Sequence, residues 1–243
     1  MARGICFPRR CVASAGGGRP WRRSSPSTSV QGGPVSRRVV GVTLDNLDLL
    51  PKKCRRCVFW ELAPHIREQA EDFGQTDLEK EAWVSSVLLE WGSCGRIVMS
   101  GDIPAGYALY APPAAVPRAA AFPTSPVSAD AVLLTALKVL PEFSGGGLGR
   151  MLVQAVAKDL TRRGVKAIEA FGDARPNEES SCVIPAEFLQ QVGFKTVHPH
   201  PRWPRLRLEL RTALTWKEDV EAALERLLTS VTIHTVEPSL RPA

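Results

Sequence analysis

From Arg37 onward the chain switches repeatedly between a two-residue and a helical hydrophobic rhythm. Val39 to Val42 is a short β-type run. Thr43-Leu44-Asp45-Asn46 then offers capping side chains to a helical stretch that stops at Pro51. Thr76-Asp77-Leu78-Glu79 matches a capping box, which predicts a helix start. Trp83, Val84, Val87, Leu88 and Trp91 share one face of that helix, and Gly92 closes it. Gly95 to Met99 and Ala105 to Tyr110 read as a hairpin turned at Ser100-Gly101-Asp102. Residues 111–130, with five prolines and seven alanines, predict a long, semi-stiff loop.

Ala131 to Val139 is apolar almost throughout and predicts a buried strand. After a glycine-rich turn, Leu152, Val153, Val156 and Leu160 form the inner stripe of a helix that ends at Gly164. Lys166 to Phe171 is another strand. Pro185 lies near the start of a short helix that closes at Gly193. Arg205 to Arg211 alternates, with Leu206, Leu208 and Leu210 on one face. Thr215-Trp216-Lys217-Glu218 is a second capping box. It opens an amphipathic helix expected over 213–230, and residues 231–243 read as a flexible tail.

Composition narrows the function classes. The 243 residues carry a net charge of +6, which invites a nucleic-acid reading. Residues 1–38, however, hold eight arginines and neither lysine nor acid, so the rest has 23 basic residues against 25 acidic ones. The basicity belongs to a tail, and the near-neutral body argues against a nucleic-acid partner. Residues 1–36, rich in Gly, Ser, Pro and Arg, cannot bury enough surface to offset their ordering entropy. A translation start near Val35 is one reading of this tail; an organelle transit peptide is another. The longest apolar run, Ala131 to Leu137, is far short of the ~20 residues of a membrane span. Six scattered cysteines are too few for a disulfide scaffold and suggest a reducing, cytoplasmic compartment.

The richest chemical signal is Val139-Leu140-Pro141-Glu142-Phe143-Ser144-Gly145-Gly146-Gly147-Leu148-Gly149-Arg150. A strand enters a turn with four glycines in five positions, and a helix follows. Bare backbone approaches a ligand closely, and a helix N-terminus presents unpaired N–H donors and a positive dipole end. The combination suits a phosphate or diphosphate. A Walker loop needs Gly-Lys-Ser/Thr where Gly149-Arg150-Met151 stands, and a dinucleotide fingerprint needs glycine at Arg150; both fail.

This stretch resembles motif A of the GCN5-related N-acetyltransferase (GNAT) family. Val139, Pro141, Gly147 and Gly149 match its pattern, while Ser144 replaces the usual Arg or Gln. The order of elements from Arg37 to Arg211 fits as well. The resemblance implies an α/β acyl-CoA N-acyltransferase (GNAT) fold: a mixed central sheet with flanking helices, spanning 37–212, with an extra C-terminal helix. It also implies acetyl-CoA as cosubstrate. The backbone of Leu137, Lys138 and Val139 would meet the pantetheine arm. The amides of Ser144, Gly145, Gly146, Gly147, Leu148 and Gly149 would hold the diphosphate, with Arg150 adding charge. The implied activity is acetyl transfer to an amine, on a small molecule or a protein. Gly193-Phe194 matches a later family motif, but Leu189 stands at the usual acid tyrosine, Cys182 at the asparagine and Pro185 at the alanine position. A CoA-binding sensor or interaction module without turnover is the alternative.

Transfer to a lysine-like amine needs a base, because only about one part in two thousand of such an amine is neutral at pH 7. Glu61, Glu90, Glu169 and Asp173 are the candidates. Glu61 is preferred, from the run Cys54-Arg55-Arg56-Cys57-Val58-Phe59-Trp60-Glu61, which by family analogy lies with the 111–130 loop on the acceptor side; a surface carboxylate or a salt bridge is its plainer reading. Cys182 offers a thiol acid or nucleophile, or a small buried hydrophobe. Cys54-x-x-Cys57 alone is not a strong zinc signal: structural thiols are expected, with no metal, while half a zinc site completed by Cys94, Cys182, His198 or His200 and a redox pair are the alternatives. Arg202, Arg205, Arg207 and Arg211 read as a solvated strand face.

Overall fold

The computed structural model describes residues 36–176 and 182–210. The tail before residue 36, the helix expected over 213–230, the flexible end over 231–243 and Arg211 lie outside the described residues. Within them, eight strands form one mixed sheet: β1 (Arg37–Gly41), β2 (Gly95–Ser100), β3 (Ile103–Ala111), β4 (Ala131–Val139), β5 (Ala167–Asp173), β6 (Ile184–Pro185), β7 (Lys195–His198) and β8 (Arg205–Glu209). The spatial order is β1-β2-β3-β4-β5-β8-β7, and β6 pairs with the end of β5. Pairing is antiparallel except between β4 and β5 and between β5 and β6. The helices are α1 (Lys52–Arg55), α2 (Pro64–Asp72), α3 (Thr76–Trp91), α4 (Leu148–Arg162) and α5 (Ala186–Gln191).

Each sheet face carries its own core. On one, α4 lays Leu152, Val156 and Leu160, none exposed, against Ile168, Ala170 and Tyr110, and α5 adds Leu189. Burying each such side chain contributes about 1.5–3 kcal/mol. On the other face, Val84 and Val87 of α3 pack with Ile97, Leu109 and Leu133. The expected stripes of both long helices are therefore their buried faces.

Two sequence expectations are corrected and one is refined. Thr76 is not a cap: α3 is capped by Gln75, whose carbonyl already accepts from the Glu79 N–H, and Thr76 is buried in the first turn. Gly74, in the left-handed region, turns the chain so sharply after α2 that the helix begins one residue early. The long 111–130 loop carries structure of its own. Its two 3-10 turns bury Val116, Ala119 and Phe122, and the Phe122 ring stacks on Phe171 at 4.4 Å and on Trp60 at 5.1 Å. The arginines of β8 are not a solvated face. Arg205 and Arg207 reach over the sheet to fully buried Glu169, and Arg207 also pairs with Asp130 and Glu209. Burial favours the neutral acid at Glu169, but Ser128 and the guanidiniums outweigh it and hold the carboxyl below its ordinary range.

Candidate active site

The site begins where two parallel strands part. β4 is paired with β3 from Leu133 to Val139 but with β5 only over Ala131–Leu133. The partner register slips at Leu109/Tyr110, leaving Thr135 as an extra residue whose hydroxyl donates to the Leu109 carbonyl at 3.0 Å. Such a bulge bends its strand. Beyond it, the β5-facing edge of β4 has no strand partner, while β6 takes up Gly172 and Asp173. The wedge between them opens into a cavity of about 750 Å³.

One end of the cavity is the glycine turn. Gly145 and Gly147 have φ of +78° and +75°, values that favour glycine, and a Cβ at either would meet nothing within 4 Å. The turn thus faces open space. Gly149 differs: its Cβ would lie 2.8 Å from the Phe188 ring, so it is there to let α4 and α5 touch. The first bond inside α4 runs from Met151 N–H to the Gly147 carbonyl, so the amides of Leu148, Gly149 and Arg150 precede the helical ladder. Arg150 lines the cavity and donates to the Gln191 carbonyl at 3.1 Å.

Leu137, Lys138, Val139, Ser144, Gly145, Gly147, Leu148, Gly149 and Arg150 all border the cavity. Gly146 does not; its carbonyl accepts from Arg37 at 2.9 Å. Sequence reasoning missed Arg37, which β1 delivers across 109 positions to the very turn where Ser144 replaces the family's Arg or Gln. No local pattern marks it.

The other end gathers Cys54, Cys57, Trp60, Glu61, Lys80, Tyr107 and Cys182. Glu61 is buried, not on the surface. One of its oxygens accepts from the Lys80 ammonium and the other from the Trp60 N–H. Lys80 also donates to the Cys57 carbonyl at 2.8 Å. Glu61 is the one acid among the described residues of the wall. Glu90 is exposed and bonded to Ser86, Glu169 is consumed by its arginines, and Asp173 is buried with one oxygen on the Arg175 N–H.

Cys57 and Cys182 face each other at 3.1 Å, and the Trp60 indole donates to the Cys182 carbonyl at 2.7 Å. That sulfur contact, with burial behind it, pushes the Cys57 thiol far above its usual range. Burial, and then Cys54 beside it, raise the Tyr107 phenol. Cys94 lies in the core, where burial pushes its thiol up to about 12. His200 accepts two backbone N–H bonds in a loop, and His198 is exposed. Among the described residues, no group of three or more His, Cys, Asp and Glu side chains is placed to hold a metal ion. Leu189 is fully buried, so α5 presents no side chain to the cavity from the tyrosine position; Phe188 lines it instead.

A family model described as FR47-like protein matches residues 124–200, which carry β4, the glycine turn, α4, β5 and α5. The mixed central sheet with flanking helices is the architecture expected from the sequence. Among solved structures similar to the chain, the PaiA N-acetyltransferase from Thermoplasma acidophilum in complex with coenzyme A is 13% identical, with 72% of this chain and 99% of that one covered and a TM-score of 0.48. An N-acetyltransferase from Staphylococcus aureus Mu50 is 15% identical, over 72% and 99%, with a TM-score of 0.48. No curated protein matches the chain. Among the described residues, no helix is long and apolar enough to cross a membrane.

Proposed function

We propose that the chain is a GNAT acetyltransferase that moves an acetyl group from acetyl-CoA to an amine in the cytoplasm. The observation that carries this reading is the open glycine turn at one end of the β4–β5 wedge, with a proton-handling cluster at the other. The residues fit such a ligand. Bare backbone at Gly145 and Gly147, the first amides of α4, and Arg150 form a cradle for a diphosphate, with Arg37 bracing the turn at the Gly146 carbonyl. The unpaired edge of Leu137–Val139 offers main-chain groups to an amide-bearing arm. When bound, acetyl-CoA supplies the activated carbonyl and a thiolate leaving group.

The chain's own residues do the rest. A β4 backbone N–H near Val139 stabilises negative charge developing on the carbonyl oxygen. Glu61 takes the amine's proton, through water, with Lys80 holding the carboxylate in place. The departing sulfur needs a proton that Leu189 cannot give, and Cys182 supplies it beside Cys57 and Tyr107. Holding both reactants in one wedge contributes much of the rate.

Thiol release from acetyl-CoA over a panel of small amines and peptides tests this. Release that depends on one amine class and falls in Glu61→Gln supports it. Tight CoA binding with no release from any amine favours the sensor reading, to which fully buried Leu189 gives its footing.

A further inference from the structure

We propose that Cys57 and Cys182 are a reversible thiol–disulfide pair that locks the acceptor end of the cavity. The two residues are 125 positions apart, yet their sulfurs lie 3.1 Å from each other. A disulfide needs a sulfur approach only about 1 Å shorter. Two separate hydrogen bonds keep the backbones in register: Lys80 holds the Cys57 carbonyl, and the Trp60 indole holds the Cys182 carbonyl. Both cysteines are half-buried, and both line the cavity. Cys57 belongs to the segment between α1 and α2. Cys182 belongs to the segment that leads into β6. A bond between them ties these two walls together where the amine must enter.

The chemistry balances with a hydroperoxide as oxidant. The two thiols meet in one S–H···S contact in which either can donate. The Cys182 sulfur attacks the peroxide oxygen, the O–O bond breaks, and the leaving oxygen takes the Cys182 proton and departs as an alcohol, giving a sulfenic acid. The Cys57 sulfur then attacks that sulfur. The S–O bond breaks, the S–S bond forms, and the oxygen leaves with the Cys57 proton as water. Two thiols are oxidised to one disulfide while the hydroperoxide is reduced to alcohol and water.

The effect on turnover rests on the acyltransferase reading; the cross-link does not. The full chain is treated with tert-butyl hydroperoxide and mapped by mass spectrometry without reduction, alongside Cys57→Ser and Cys54→Ser. Turnover and the rate of Cys54 alkylation by N-ethylmaleimide are followed in parallel. The expected result is one Cys57–Cys182 cross-link, reversed by dithiothreitol, absent in Cys57→Ser and retained in Cys54→Ser. Alkylation of Cys54, which shares that end of the cavity, slows more than tenfold in the oxidised chain and recovers on reduction, and turnover follows it. A cross-link through Cys54, or oxidation that passes to sulfinic acid with no cross-link, overturns the pair. A Cys57–Cys182 cross-link that leaves alkylation unchanged overturns the lock. A reduced chain without turnover counts against the acyltransferase reading, while alkylation still decides the lock.

Discussion

Gly147 and Gly164 stand at opposite ends of α4 with the same φ of +75°, and a Cβ at either would meet no atom within 4 Å. They make a matched pair. Gly147→Ala and Gly164→Ala both force an L-residue into the left-handed region, which costs about 1–2 kcal/mol. For a domain of this size each kcal/mol lowers Tm by roughly 2–4 °C, so both variants should melt about 2–8 °C lower. They differ in what the new methyl group faces. At Gly147 it enters the diphosphate cradle in front of the first α4 amides. A hydrogen bond to a charged group contributes about 1.5–3 kcal/mol, so displacing even one weakens acetyl-CoA binding roughly ten- to hundredfold. At Gly164 the methyl group is at the far end of the helix and leaves affinity unchanged. Thermal melts and calorimetric titration with acetyl-CoA give both numbers from the same samples. Equal affinities in the two variants would refute the cradle, because the strain is shared and only the position differs.

Other consequences follow from the same geometry. Glu61→Gln should lower turnover about a hundredfold or more with acetyl-CoA affinity intact. Glu61→Leu strands the buried Lys80 ammonium and should cost about 3–5 kcal/mol in a urea titration; unchanged turnover in Glu61→Gln removes it as base. Leu189→Tyr restores the family's residue type but should destabilise without raising turnover, since the side chain is enclosed by the α5 core; a gain in thiol release would show that α5 presents this position to the substrate after all. Asp159 is buried, which favours its neutral form, yet Tyr110, Arg96 and Arg163 hold its carboxyl below the ordinary range. The unfolded chain therefore takes up its proton first, so this group's stabilisation is complete above about pH 5 and is lost as pH falls through and below about 4. The urea midpoint should drop over that window and flatten in Asp159→Asn; a midpoint that rises on acidification contradicts the assignment.

Periodic burial made most of the fold legible. Leu152, Val153, Val156 and Leu160 mark their face of α4 because one stripe meets one sheet, and Leu206 and Leu208 do the same by alternation in β8. The glycine turn was legible for a different reason: few backbone shapes need so many glycines ahead of a helix. What escaped was set by contacts between distant residues. Arg205 and Arg207 look like solvent-facing charges until β8 lies beside β5 and places them over Glu169. Arg37 means nothing locally, because its partner Gly146 comes from another strand's turn. Glu61 could be ranked among the acids by its neighbours, but not its burial, since Lys80 reaches it from a helix. The 111–130 segment reads as a loop because proline and alanine carry little pattern; the Trp60, Phe122 and Phe171 stack shows that part of it enters the core.

The central claim is that a diphosphate-bearing thioester lies along the parted edge of β4 with its charge on the glycine turn. Amide hydrogen exchange of the full chain, with and without acetyl-CoA, tests it most directly. The account predicts slowed exchange in two separate stretches, 137–139 and 144–150, with α4 beyond its first turn little changed. Unaltered exchange at the glycine turn while the ligand protects some other surface would contradict it.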